Sequence, residues 1–142
     1  MRLSMKIYFI GQKGIPATGG GVERHVEELA VRMAQNGQEV FIYSRHGYTK
    51  TDVKQYKNVR ILYTPALYTK HLEAITHTFM SIMNLVRRDA DIVHVHSIGP
   101  SLLIPLIRLL KPRAKIVATV HSPDYFHQKW NSFARFMLRL GE

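Results

Sequence analysis

The sequence predicts an α/β domain built on a Rossmann-like open parallel sheet flanked by helices. Three observations carry this. Short apolar, β-rich runs alternate with stretches of helical periodicity, the pattern of repeated strand–helix–strand units. The chain has 142 residues and an apolar fraction of 46%, which suits one domain with a real core. Three of the predicted strands end in glycine- or histidine-containing segments, and ligands on such sheets bind beyond the C-terminal strand ends.

The elements follow in order. Residues 6–10, KIYFI, read as a buried strand that stops at Gly11. Residues 12–20 form a long glycine-containing loop. Val22, Val26, Leu29 and Met33 then recur at helical spacing, with Glu23, Glu27, Glu28 and Arg32 off that stripe, and Gly37 is placed to end the helix. A second strand covers 39–43, and the polar stretch 44–58 reads as loop with one short helical turn. A third strand covers 59–63 and is closed by Pro65. Leu72, Ile75, Phe79, Ile82 and Val86 mark a second helix ending near Arg87 and Arg88, where cations suit the helix dipole.

A fourth strand covers 91–96. Residues 101–110 are apolar nearly all round and predict a buried or interface helix. Pro105 falls in its first turn if the helix starts near Leu102. A fifth strand covers 115–120. A last helix over 128–140 places Trp130, Phe133, Met137 and Leu140 on one face, with Arg135 and Arg139 off it. That stripe reads as core in preference to a seat on an anionic membrane. There is no internal repeat, low-complexity tract or interdomain linker.

Composition narrows the function. The 20 Lys and Arg against 10 Asp and Glu give a formal charge of +10. From Ile92 onward there are seven bases against two acids. Such a surface favours nucleotides, phospholipids or nucleic acid, or it is simply a solvated basic face. Nucleic acid ranks last, because helix-turn-helix, zinc-finger and aromatic RNP signatures are missing. With no cysteine, a disulfide scaffold, a thiolate metal site and a thiol nucleophile are excluded. No apolar run approaches the roughly 20 residues that span a bilayer, and the N-terminus lacks a signal-peptide pattern.

Three constellations carry candidate chemistry. The first is the loop 11–21, GQKGIPATGGG, where Gly19, Gly20 and Gly21 precede a helix. Consecutive glycines admit close backbone approach, and a helix N-terminus offers N–H groups to a phosphate. The loop is neither the G-x-G-x-x-G dinucleotide fingerprint nor a P-loop with G-K-S/T. Arg24 and His25 fall in the first helical turn, where the dipole disfavours cations unless an anion is bound. A flexible turn with surface Arg and His is the other reading.

The second is His94 with His96, whose spacing of two puts both side chains on one face of a strand. Asp91 is the one nearby acid, so packed histidines lining a cleft are favoured and no metal is expected. The third is His121 with Asp124. A histidine at a strand end can donate to a sugar hydroxyl or stabilise charge, with Asp124 orienting it or binding hydroxyls. An ordinary Ser-Pro-Asp turn explains the same residues equally well.

Residues 11–30 (GQKGIPATGGGVERHVEELA), 91–96 (DIVHVH), 117–121 (VATVH), Lys129 with Trp130, and 139–142 (RLGE) resemble the opening half of bacterial family 4 (group 1) glycosyltransferases. The likeness runs along nearly the whole chain. It implies the GT-B fold, in which two Rossmann-like domains face each other across a cleft and the N-terminal one mainly receives the acceptor. It also implies retaining, metal-independent transfer from a nucleotide-sugar donor, with no further cofactor. Carried over residue by residue, Gly20 and Gly21 match the pair that approaches donor phosphates and acceptor. His121 matches the histidine near the reacting carbon, and Asp124 an acid three residues later. The expected catalytic residues are therefore His121 and Asp124. Gly19, Gly20, Gly21, Arg24, His25 and His96 are the expected substrate- and phosphate-binding residues.

Two departures stand out. The family commonly has glycine directly after that histidine, whereas this chain has Ser122 and Pro123. The E-x7-E acid pair of the family's donor domain is missing, since Glu142 is the only acid after Asp124. Residues 1–142 are thus expected to be a single acceptor-side domain, without the C-terminal donor-binding domain and inactive alone. The expected partners are a nucleotide sugar and a saccharide or lipid-linked acceptor in cell-surface polysaccharide synthesis. The expected location is the cytoplasm, with the inner face of the membrane reached through the basic surface. The alternative is a stand-alone Rossmann-type module that binds an anion or nucleotide without catalysis.

Overall fold

Strands and helices alternate in the computed structural model, which describes residues 4–121. The order is β1 (Lys6–Ile10), α1 (Gly21–Gln35), β2 (Glu39–Arg45), β3 (Gln55–Tyr56), β4 (Val59–Thr64), α2 (Glu73–Leu85), β5 (Ile92–His96), α3 (Ile98–Ser101), α4 (Ile104–Leu110) and β6 (Lys115–Thr119). The predicted helix over 128–140, and with it Asp124, lies outside the described residues.

The six strands form one sheet in the order β3-β4-β2-β1-β5-β6. Every pairing is parallel except β3 with β4. The chain builds outward from β1 through β2 to β4, then returns to the other side of β1 for β5 and β6. The order therefore reverses between β1 and β5, where an open α/β sheet leaves its ligand crevice.

Helices cover both faces, so the central strands are apolar on both sides. On one face Ile7 and Phe9 of β1 pack with Val26 and Ala30 of α1, Ile42 and Ile61. On the other, Tyr8 and Ile10 pack with Tyr43, Ile82 and Leu85 of α2, and Ile107 of α4. The period of two along β1 divides its side chains cleanly between these cores. α1 buries Val26, with Val22, Leu29 and Met33 packed partly buried beside it, as the sequence pattern predicts. Gly37, at φ 86°, ends that helix. The Gln38 N–H reaches the Met33 carbonyl at 3.1 Å and the Gly37 N–H the Ala34 carbonyl at 3.1 Å, the bonding of a Schellman cap.

Three expectations are corrected. First, the stretch 44–58 contains strand rather than a helical turn: β2 runs on to Arg45, and Gln55–Tyr56 forms β3. β3 folds back on β4 through Lys57 and Asn58, both at positive φ (44° and 67°). Two central residues with φ > 0 give the turn whose twist matches paired strands. Second, the stripe Leu72, Ile75, Phe79, Ile82 and Val86 does not face the core. Of these only Ile82 is buried, and the side that meets the sheet carries His77, Thr78, Ser81, Ile82 and Leu85.

The hydroxyls on that side are bonded, whereas both ring nitrogens of buried His77 have no hydrogen-bond partner. Thr78 Oγ1 donates to the Ala74 carbonyl at 2.7 Å, and Ser81 Oγ donates to the His77 carbonyl at 2.7 Å. The hydroxyls of Ser81 and Thr64 lie 2.8 Å apart.

Third, the apolar helix over 101–110 is two short pieces, α3 and α4. Pro105 sits in the first turn of α4, where its missing N–H costs nothing. Ile107 is buried, but Leu109 on the opposite side is exposed.

Candidate active site

Three glycines shape the loop after β1, and at Gly14 an added Cβ would lie 2.0 Å from Ser44 Oγ. Gly11, at φ 107°, turns the chain so tightly that a Cβ there would lie 2.3 Å from the carbonyl oxygen of His96. A side chain at this point would push β1 away from the end of β5. Gly20, at φ 86°, precedes α1, and a Cβ there would lie 2.5 Å from Glu23 Oε2. Added Cβ atoms at Gly19 and Gly21 would meet nothing within 4 Å. These two glycines border open space at the mouth of the crevice, where a ligand can come close to the backbone.

Four side chains that sequence reasoning missed hold this loop. Gln12 is buried, and its Nε2 donates to the carbonyls of Phe9 (3.1 Å) and Tyr43 (2.9 Å), tying the loop to both strand ends. Glu23 Oε1 accepts from the Lys13 N–H at 3.1 Å, and Glu27 Oε2 from the Ala17 N–H at 2.7 Å. Tyr48 Oη accepts from the Thr18 N–H at 3.1 Å and donates to the Gly19 carbonyl at 3.3 Å. The acids in the first turns of α1 were the available signal. A glycine loop needs partners for its N–H groups, and the following helix supplies them.

The second wall is histidine. His94 and His96, two residues apart on β5, have ring centroids 4.2 Å apart with the planes tilted by 31°. Both lie against the Phe9 ring, at 5.1 and 5.4 Å. His94 Nε2 meets Thr119 Oγ1 of β6 at 2.7 Å. His96 Nδ1 meets His121 Nε2 at 3.0 Å, two residues past the end of β6. His25, in the first turns of α1, completes the group with its ring 5.0 Å from that of His121 and 6.1 Å from that of His96. The structure thus brings His25, His96 and His121 together with His94 and sets them beside the Gly19–Gly21 edge of the loop. Arg24 shares the first turn of α1 and is exposed; its place at the site rests on that turn alone.

Burial fixes the charge of this wall. Loss of hydration holds His94 at a pKa of about 4, and the neighbouring His25 and His121 push the same way. His96, fully buried, is held down to about 2 by burial first, then by His94, His121 and His25. Both are neutral near pH 7 and buried, with His94 Nε2 engaged by Thr119 and His96 Nδ1 by His121. The N-terminus of α1 suits an anion. Ser97, directly after His96, adopts φ 76°, an unusual conformation for a non-glycine residue. It is held by a 2.9 Å bond from its N–H to the Thr119 carbonyl, and its own carbonyl accepts from Ser101 Oγ at 2.7 Å.

The glycine loop thus forms one lip of the switch-point crevice of a Rossmann-like sheet, and the histidines form the other. The sequence model of Glycosyltransferase Family 4 matches residues 19–142, and the chain belongs to that family. Glycosyl transfer, with a sugar donor and an acceptor as substrates, is therefore its general activity. No curated protein matches the chain. No helix among the described residues is long and apolar enough to cross a membrane.

Proposed function

We propose that this chain is the acceptor-side half of a retaining glycosyltransferase. It works with a donor-binding domain outside these 142 residues and moves a hexose-type sugar from a nucleotide donor to a saccharide or lipid-linked acceptor of a cell-surface polysaccharide. One observation carries the reading. The glycine loop and the four-histidine wall, far apart in sequence, meet at the switch point of the sheet in a family 4 chain. His121 faces the donor sugar, with Asp124 as its companion. Gly19, Gly20, Gly21, Arg24 and His25 receive phosphate and acceptor groups, and His96 backs His121. The transfer needs no metal and no cofactor besides the donor. The domain acts in the cytoplasm, at the inner membrane face when the acceptor is lipid-linked. By itself the domain binds without turnover, because transfer requires donor and acceptor held together.

The test is NMR titration of the 142-residue protein with a panel of nucleotide sugars and oligosaccharides. Shifts centred on the amides of Gly20 and Gly21 and the His25 and His121 rings are expected, with no sugar release. Joined to its donor domain, the protein is expected to lose about 100-fold or more in rate on His121→Ala. Wild-type turnover by that variant would remove the role given to His121.

A further inference from the structure

Tyrosine hydroxyls tie together three loops beyond the C-terminal strand ends. Tyr48, in the loop after β2, bonds the Thr18 N–H and the Gly19 carbonyl of the glycine loop. Tyr68, in the loop after β4, donates to the His46 carbonyl at 3.3 Å. The His46 ring lies on that of Tyr63, with centroids 5.2 Å apart and planes 25° apart. Its Nδ1 meets Asp52 Oδ2 at 2.6 Å, and Asp52 Oδ1 accepts from the Gly47 N–H at 3.2 Å. The loop after β2 is therefore a folded shelf rather than a slack connection.

Tyr68 is oriented against solvation. A surface tyrosine ordinarily lays its ring on apolar neighbours and leaves its hydroxyl in water. Here the hydroxyl is engaged by a backbone carbonyl while the residue is 59% exposed, with Leu67 beside it 58% exposed. A ring pinned at its tip and open to solvent is contact area already ordered before a ligand arrives.

The groups around that ring select the ligand. Asp52 is exposed, and a carboxylate has about four acceptor positions, so His46 and Gly47 leave room for further donors. An aromatic ring beside a hydroxyl acceptor fits a pyranose, which has an apolar C–H face and hydroxyls at its rim. The patch is a few side chains wide, far below the roughly 800 Å² that a stable protein partner covers. Its position agrees. The loop after β4 stands two strand spacings from the loop after β1, roughly 10 Å along the same edge of the sheet. A saccharide reaching from the histidine wall across the glycine loop arrives there.

We propose that Tyr68, His46 and Asp52 form a subsite for the trailing sugar units of an oligosaccharide acceptor. The proposal rests on the glycosyltransferase reading above and assigns the part of the acceptor that does not react. It makes the domain selective for a chain over a single sugar, since a monosaccharide at the histidine wall leaves the shelf empty.

The test is NMR titration of the 142-residue protein with mono-, di- and tetrasaccharides of glucose, mannose and galactose. In at least one series the tetrasaccharide is expected to bind about tenfold or more tighter than the monosaccharide, shifting the Tyr68 ring and the His46 and Gly47 amides. Tyr68→Ala is expected to lose about five- to tenfold in tetrasaccharide affinity, with unchanged thermal unfolding since the residue is exposed. Tyr68→Phe, which keeps the ring but frees it from the His46 carbonyl, is expected to fall between the two. Nucleotide-sugar shifts at Gly20 and His121 are expected to be the same in all three proteins. Failure of every saccharide to shift Tyr68 and His46 overturns the subsite, as does equal tetrasaccharide affinity in wild type and Tyr68→Ala. If the nucleotide-sugar shifts persist in that case, the glycosyltransferase reading stands and the shelf alone is lost. Absence of those shifts from the wild type as well removes the reading on which the shelf rests.

Discussion

His96 Nδ1 lies 3.0 Å from His121 Nε2, and His96 Nε2, on the buried side of the ring, has no hydrogen-bond partner. A neutral imidazole has one proton to place. On Nε2 it would be an orphaned buried donor, the rarest kind of unsatisfied group. On Nδ1 it donates to His121 Nε2, and His121 must then carry its own proton on Nδ1. The pair therefore fixes the tautomers of both rings. Two-dimensional ¹⁵N–¹H spectra correlating ring nitrogens with ring protons are expected to show His121 as the Nδ1–H form. In His96→Phe, which keeps the stacking on Phe9 but removes the donor, the spectrum is expected to revert to mixed tautomers. An Nε2–H form in the wild type would reverse the assignment.

Acid is expected to loosen the domain before it protonates the wall. His94 and His96 are held at about 4 and about 2, and His77 under α2 is held at about 4, chiefly by its own burial. In the unfolded chain all three take up protons near 6.5. Below pH 6.5 the unfolded state binds more protons than the folded one, so stability falls as pH falls. It is fully present above that value. Each group contributes a slope of up to about 1.4 kcal/mol per pH unit, continuing down to its folded pKa. Urea melts from pH 8 to pH 4 are expected to show a plateau and then this decline. A flat profile would show that these rings are not held neutral.

The glycines separate into two kinds that substitution tells apart. Gly11→Ala forces a Cβ to within 2.3 Å of a backbone oxygen at positive φ, with no flexible neighbour to give way. A loss of about 2 kcal/mol or more is expected, with disturbed His96 and His121 resonances. Gly21→Ala has open space and no positive φ. Its stability is expected to be unchanged or raised by up to about 1 kcal/mol, while ligand shifts at the loop weaken. Equal melting temperatures for both variants would contradict the close approach of β1 to β5.

Arg45 and Glu73 join the end of β2 to the start of α2 with the arginine side chain only 7% exposed. Glu73→Ala strands that cation. A cost of about 2 kcal/mol is expected, less than for a fully buried pair because Glu73 is partly exposed. Adding Arg45→Met is expected to recover most of it. If the double variant is no better than the single one, the pair is not coupled.

Much of this arrangement is legible in the sequence, for identifiable reasons. The five longer strands and the helix after the loop follow from periodicity, and His94, His96 and His121 are exposed to inspection because strand ends in such sheets converge. Periodicity tells which residues of a helix share a side, but not which side meets the sheet. In α2 that choice turns on Ser81 meeting Thr64 across to β4 while the Thr78 hydroxyl bonds the Ala74 carbonyl, and the first of these depends on the fold. β3 escapes notice because it is two residues long and its turn uses Lys57 before Asn58 in place of glycine. The clamps from Gln12, Glu23, Glu27 and Tyr48 answer carbonyls and N–H groups whose positions exist only after the sheet has formed.

The reversal of strand order between β1 and β5 also sets when the crevice comes into being. One lip is made from residues near position 20, the other from His96 and His121. They join when β5 pairs with β1, a ladder flanked by bonds from the Lys6 N–H to Asp91 Oδ2 (2.8 Å) and from the Asp91 N–H to the Lys6 carbonyl (2.9 Å). A chain leaving the ribosome can assemble β1, α1, β2 and β4 early, as a half-sheet with one bare edge. Its glycine loop then has no opposite wall. Closing that edge spans most of the domain, a long-range pairing that costs chain entropy before contacts reward it. The crevice is therefore complete only once β5 and β6 have joined the sheet.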